Sequence, residues 1–194
     1  YKNKKTTDEE YVDTLYRVMF NREADAGGRK NWLDLLKKGM SRYYIFCGFA
    51  GSEEWLGTCD TFGIDPGEMK LTDARDQNVG VTSFVYRLYD KILGRTGEDA
   101  GIEDWCGRIL RKKCTPVEAA QLFVHSEEFM NKKTTDKEYI TVLYRAFLDR
   151  EPDASGFAYW LGKLQSGEST RDSLLGGFAY SEEFSNLMKK YGFE

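Results

Sequence analysis

Apolar residues fall in doublets four positions apart along three stretches of the chain. They are Tyr11-Val12, Leu15-Tyr16 and Met19-Phe20; then Phe84-Val85, Leu88-Tyr89 and Ile92-Leu93; then Tyr139-Ile140, Leu143-Tyr144 and Phe147-Leu148. That spacing lays a wide apolar stripe along a helix and does not alternate as a strand would. Thr7 with Glu10, and Thr135 with Glu138, read as capping boxes at the start of such helices. A second helix is predicted after each, carrying Trp32 and Leu36, Trp105 and Ile109, or Trp160 and Leu164 on one side. Lys37-Lys38 and Arg111 to Lys113 fall in its last turn, where cations suit the helix dipole, and Gly39 and Gly167 fit as C-terminal caps. A third helix opens at Ser41, Thr115 and Thr170. At Thr115-Pro116-Val117-Glu118 a cap, a first-turn proline and a box-closing glutamate stand in one run. Ser52, Ser126 and Ser181 then cap a short fourth helix with acids in its first turn. The expected fold is all-α: tandem helical repeats of about four helices each, packed as helical bundles.

The periodicity is itself repeated. Asn3-Lys4-Lys5-Thr6-Thr7-Asp8 returns as Asn131-Lys132-Lys133-Thr134-Thr135-Asp136, and a more distant copy lies between them. All three copies share one skeleton of arginine, acid, glycine and tryptophan at fixed spacing. It reads Arg22, Asp25, Gly28 and Trp32; Arg95, Glu98, Gly101 and Trp105; Arg150, Asp153, Gly156 and Trp160. Each copy then reaches Ser-Glu-Glu-aromatic, at Ser52 to Trp55, Ser126 to Phe129 and Ser181 to Phe184. Copies one and three resemble each other more than either resembles copy two. The expected organisation is repeat one over 1–64, a linker over 65–79 with Asp65-Pro66-Gly67 as a turn signal, repeat two over 80–131 and repeat three over 132–194. Residues 80–194 then form a complete pair, and repeat one is the second half of another. The chain opens at Tyr1 rather than Met, so it is expected to be a stretch of something longer, with neighbouring repeats in its parent.

Composition narrows the chemistry. Twelve Phe, twelve Tyr and four Trp exclude an unfolded chain, and a net charge of −4 argues against a nucleic-acid surface. No apolar stretch approaches the roughly 20 residues of a membrane helix, so no membrane insertion is expected. A single His leaves little material for His-based catalysis or a His-rich metal site. The acids of the skeleton could be calcium ligands, but the alternation of an EF-hand loop is missing, so Asp25 and Asp153 are expected to cap the second helix. The three signature tryptophans are expected in the core, against a reading as sugar-stacking platforms helped by Phe157 and Tyr159. The Ser-Glu-Glu triplets are expected to be caps, because adjacent carboxylates point to different helix faces and a retaining glycosidase needs two about 5 Å apart across a cleft. His125 has no motif partner and is assigned no role. Lys4-Lys5 and Lys132-Lys133 are expected to be solvated. Cys47, Cys59, Cys106 and Cys114 lack metal-ligand spacing and are expected as free thiols, with Cys59 and Cys106 at apolar positions of the repeat. No metal and no cofactor is expected.

The run Leu143-Tyr144-Arg145…Leu148-Asp149-Arg150-Glu151-Pro152-Asp153…Gly156…Tyr159-Trp160 and the run Phe178-Ala179-Tyr180-Ser181-Glu182-Glu183-Phe184 resemble the bacterial domain-of-unknown-function family 4214. The resemblance covers nearly the whole chain in three copies. Copy two departs from it with Glu98 for the aspartate, and copy one has Asn21 before Arg22 and Trp55 at the final aromatic. The first helix and its turn also resemble, distantly, phycobilisome linker domains, which are helical assembly modules. The resemblance implies repeated modules of large secreted or cell-surface bacterial proteins and carries no catalytic residues. The expected function is therefore a non-enzymatic scaffold or interaction surface with an unknown protein or glycan partner. The alternative is a carbohydrate-binding module that anchors a surface enzyme to wall or host glycans.

Overall fold

The computed structural model describes residues 6–193. The chain is 69% helical, with no strand among those residues, so the all-α expectation holds. Copy one supplies α1 (Asp8–Phe20), α2 (Ala26–Lys37), α3 (Arg42–Ala50) and α4 (Glu53–Phe62). A 3₁₀ turn at Ala74–Asp76 follows. Copy two supplies α5 (Val79–Leu88), which runs on as a π-turn over Tyr89–Leu93, then α6 (Asp99–Leu110), α7 (Pro116–Val124) and α8 (Glu127–Met130). Copy three repeats this as α9 (Asp136–Leu143) with a π-turn over Tyr144–Leu148, α10 (Ala154–Gln165), α11 (Arg171–Ala179) and α12 (Glu182–Lys190). Four helices per copy is what the caps and doublets predict. Among the described residues, no helix is long and apolar enough to cross a membrane.

The chain divides into two compact units, 1–82 and 83–194. In the first, Val12, Leu15, Tyr16 and Met19 of α1 meet Leu33 and Leu36 of α2 and Ile45 and Phe49 of α3 in one buried cluster. The first helix of every copy ends on a left-handed residue, Asn21, Gly94 or Asp149, at φ 53, 66 and 56. Gly, Asn and Asp tolerate that conformation best, which fixes a turn directly ahead of each signature arginine.

Two of the residues read as a linker, Arg75 and Asp76, do not lie free of the first unit. Asp76 and Arg75 are buried in it, at 3% and 9% exposure. The Asp76 carboxylate accepts hydrogen bonds from the backbone N–H and the hydroxyl of Ser41, and the Arg75 guanidinium donates to the Gly39 carbonyl. The cause is local. Thr115 and Thr170 have their cap N–H satisfied by Glu118 and Ser173 three residues on, whereas copy one carries Tyr44 there, and Asp76 supplies the missing acceptor.

In the second unit the two π-turns meet each other, α12 packs on the π-turn of copy three, and α7 packs on α11. The connecting Lys132 is more than a solvated charge: its ammonium donates to the Leu93 carbonyl where the π-turn ends. Lys4-Lys5 lie outside the described residues. Helix α10 differs from its counterparts, since α2 buries Leu33 and Leu36 and α6 buries Ile102, Cys106 and Ile109, but α10 buries no residue fully.

Candidate functional site

The signature residues converge in each copy on one tyrosine of the first helix. In copy one this is Tyr16, 4% exposed. A Cβ added to Gly28 would lie 2.2 Å from the Tyr16 hydroxyl, so the glycine is there because the phenol oxygen occupies that space. Gly101 stands in the same way against Tyr89, at 2.4 Å, and Gly156 against Tyr144, at 2.3 Å. The Trp32 and Trp160 indoles draw the pKa of Tyr16 and Tyr144 down. Burial nevertheless dominates and raises the pKa of all three tyrosines.

Asp25 and Asp153 cap the second helix by accepting the Gly28 and Gly156 N–H groups, each at 2.8 Å. The backbone donor is the main reason both carboxylates are held below the usual range, Asp153 at about 2 with help from the Ser155 hydroxyl. Glu98 holds the N-cap position of α6 without a side-chain cap bond. It turns instead to Arg95, 2.9 Å away.

The arginines complete the cluster. Arg22 stacks over the Tyr16 ring at 4.9 Å and reaches across to α4, where its Nε and Nη2 donate to the two oxygens of Glu54, each at 2.8 Å. Arg95 clamps Glu128 at 2.6 and 2.7 Å, and Arg150 clamps Glu183 at 2.7 and 3.3 Å. The second glutamate of Ser-Glu-Glu is therefore the far anchor of the signature arginine, a role the sequence reading did not assign. The recurring interval of 32 or 33 residues between them was the available signal. Two-pronged pairing adds geometric definition to pairs that, half-exposed, would each stabilise little.

The predicted caps sit at helix starts. Ser41, Ser52, Thr115, Ser126, Thr170 and Ser181 each accept a backbone N–H three residues on. Ser52, Ser126 and Ser181 also donate to the carbonyls of Phe49, Phe123 and Phe178, which pins the third helix to the fourth.

The tryptophans are not fully in the core. Trp32, Trp105 and Trp160 are half-buried, each with its ring against the buried Phe49, Phe123 or Phe178 at 5.0, 5.0 and 6.0 Å. The core position the tryptophans were expected to fill belongs to those phenylalanines. Trp160 is shared with Tyr159, 4.9 Å away and 55% exposed.

A second tie distinguishes copies one and three from copy two. Arg42 lies over Tyr11 and binds Asp8 and the Thr6 carbonyl; Arg171 lies over Tyr139 and binds Asp136 and the Thr134 carbonyl. Copy two carries Phe84 and Pro116 at these places. His125, assigned no role, sits 3.0 Å from Asp172 and bridges copies two and three. Cys59 and Cys106 are buried as their apolar positions suggested, Cys114 is buried and Cys47 half-buried, and no disulfide joins any two of them. A hollow of the second unit is lined by Asp90, Lys91, Arg145, Asp149 and Glu151, whose charges pair locally as Asp90–Lys91, Arg145–Glu151 and Asp149 with Arg87.

No curated protein and no solved structure matches the chain. The family described as Domain of unknown function (DUF4214) matches residues 1–59 and 120–188, more than half of the chain. The first stretch spans the cluster of copy one, and the second runs from α7 through the cluster of copy three. The chain therefore belongs to the DUF4214 family of domains.

Proposed function

We propose that the chain is a non-enzymatic helical repeat module, serving as scaffold or interaction surface in a secreted or cell-surface bacterial protein. One observation carries this reading. The signature residues of all three copies are engaged within the fold: the arginine reaches the fourth helix, the glycine lies under a tyrosine of the first, and the acid caps the second helix in copies one and three and binds the arginine in copy two. The extracellular setting rests on the kind of protein the family resemblance implies. A carbohydrate-binding role is the second reading, and the exposed Tyr159, set edge-on against the half-exposed Trp160, favours it, since an exposed aromatic ring suits a sugar. A glycan array with the whole chain, run beside thermal melts of Tyr159→Ala, separates the two. The scaffold reading predicts no glycan signal. A signal lost in Tyr159→Ala at unchanged melting temperature would replace it with the second reading.

A further inference from the structure

Copies one and three are close in sequence, yet one face of theirs is covered in copy three and bare in copy one. In the second unit, the first helix of copy two lies across copy three. Phe84 is fully buried, with its ring 5.9 Å from Tyr191 and 5.5 Å from Phe193. Arg87, 8% exposed, donates to the carbonyls of Arg145 and Ala146 at the end of copy three's first helix and pairs with Asp149 at 2.7 Å. Ala146 is left 2% exposed.

The same positions in copy one are Val18 for Ala146, Asn21 for Asp149, Phe62 for Tyr191 and Ile64 for Phe193. Val18 is 75% exposed, Phe62 72% and Ile64 55%. Asn21 has the left-handed backbone of Asp149 and a side-chain oxygen able to accept the same guanidinium. Three large apolar side chains bare on one small unit, at positions a sister copy covers, mark an interface.

We propose that this face of the first unit is the docking site for a repeat of the copy-two kind. Its first helix brings an aromatic residue onto Phe62 and Ile64, and an arginine onto the last carbonyls of α1 and Asn21. The proposal rests on the scaffold reading and names its partner. A second molecule docking through its own copy one offers only Thr14 where Arg87 stands, so it brings no arginine. Asn3 to Asp8 repeats, residue for residue, the connection Asn131 to Asp136 that leads from copy two into copy three. The partner is accordingly a neighbouring repeat of the same tandem series.

The test uses the whole chain with labelled methyl groups and, as probe, a helix-stapled peptide of residues 79–95. Saturable shifts of the Val18 and Ile64 methyls are expected, with a Kd on the order of 100 µM and about tenfold weaker binding for the Arg87→Ala peptide. Val18→Asp should abolish the shifts without lowering the melting temperature, since Val18 is largely in solvent. Absence of shifts, or equal binding of the Arg87→Ala peptide, overturns the proposal. So does dimerisation of the chain by sedimentation that Val18→Asp removes and the peptide does not compete. A failed peptide with a blank glycan array rejects this docking alone, whereas a glycan signal dependent on Tyr159 rejects the scaffold reading.

Discussion

At the scale of single residues, the signature is a packing statement with polar joints. The tightest of these joints is Gly28 against the Tyr16 hydroxyl, where a Cβ has no room unless the phenol moves. Gly28→Ala should destabilise the first unit by about 1–3 kcal/mol, the usual range for overpacking. Removing the hydroxyl with Tyr16→Phe takes away the nearest obstacle and leaves the Asp25 carboxylate at 2.9 Å, so Gly28→Ala should be milder in that background. A double-mutant cycle by urea unfolding reads the coupling directly; two purely additive substitutions would show that the contact is not what selects glycine. Asp153 gives a pH signature. Its carboxylate titrates at about 2 in the fold against an ordinary 3.8, so it stabilises the folded state above pH 4 and that contribution fades as pH falls from 4 to 2. Asp153→Asn, which still caps, should flatten the stability profile over that interval. An unchanged slope would remove Asp153 from the account.

At the scale of helices, what the sequence made legible is what local chemistry decides. Doublets four apart, Trp and Leu or Ile on one helical side, Thr-x-x-Glu boxes and the serine and threonine caps together place the twelve helices of the described residues, because each signal acts within one or two turns. The partners that lie a helix away were not legible. Tyr16 reads as one more apolar position in its doublet, and nothing nearby shows that its hydroxyl meets Gly28. Glu54 reads as a first-turn acid, and only the tertiary fold brings it to Arg22. Trp160 was expected in the core because it shares a helical face with Leu164, but Phe178 takes that place from the neighbouring helix. The turn at Ala74–Asp76 reads as linker because it lies in the long stretch between copies one and two that follows Asp65-Pro66-Gly67, whereas Asp76 is consumed as an external cap for Ser41. Asp76→Ala leaves that cap N–H and hydroxyl without their acceptor in a buried setting, and should lower stability by about 2 kcal/mol. Residues 1–82 should correspondingly melt well above 1–64 when each is purified, and equal melting would show that the turn adds nothing.

At the scale of the whole molecule, one four-helix design is used three times, and its copies differ in what joins them. Copies one and three hold the start of their first helix to the third with Arg42 and Arg171, a tie that copy two lacks. Copy two carries Arg87 instead and spends it on copy three. In every copy the tyrosine-centred cluster joins the helices of the repeat. Amide hydrogen exchange on Gly156→Ala tests it most directly, because exchange resolves stability element by element. Faster exchange is expected together in α9, α10 and α11, with the first unit unchanged. Protection preserved throughout those three helices would contradict it.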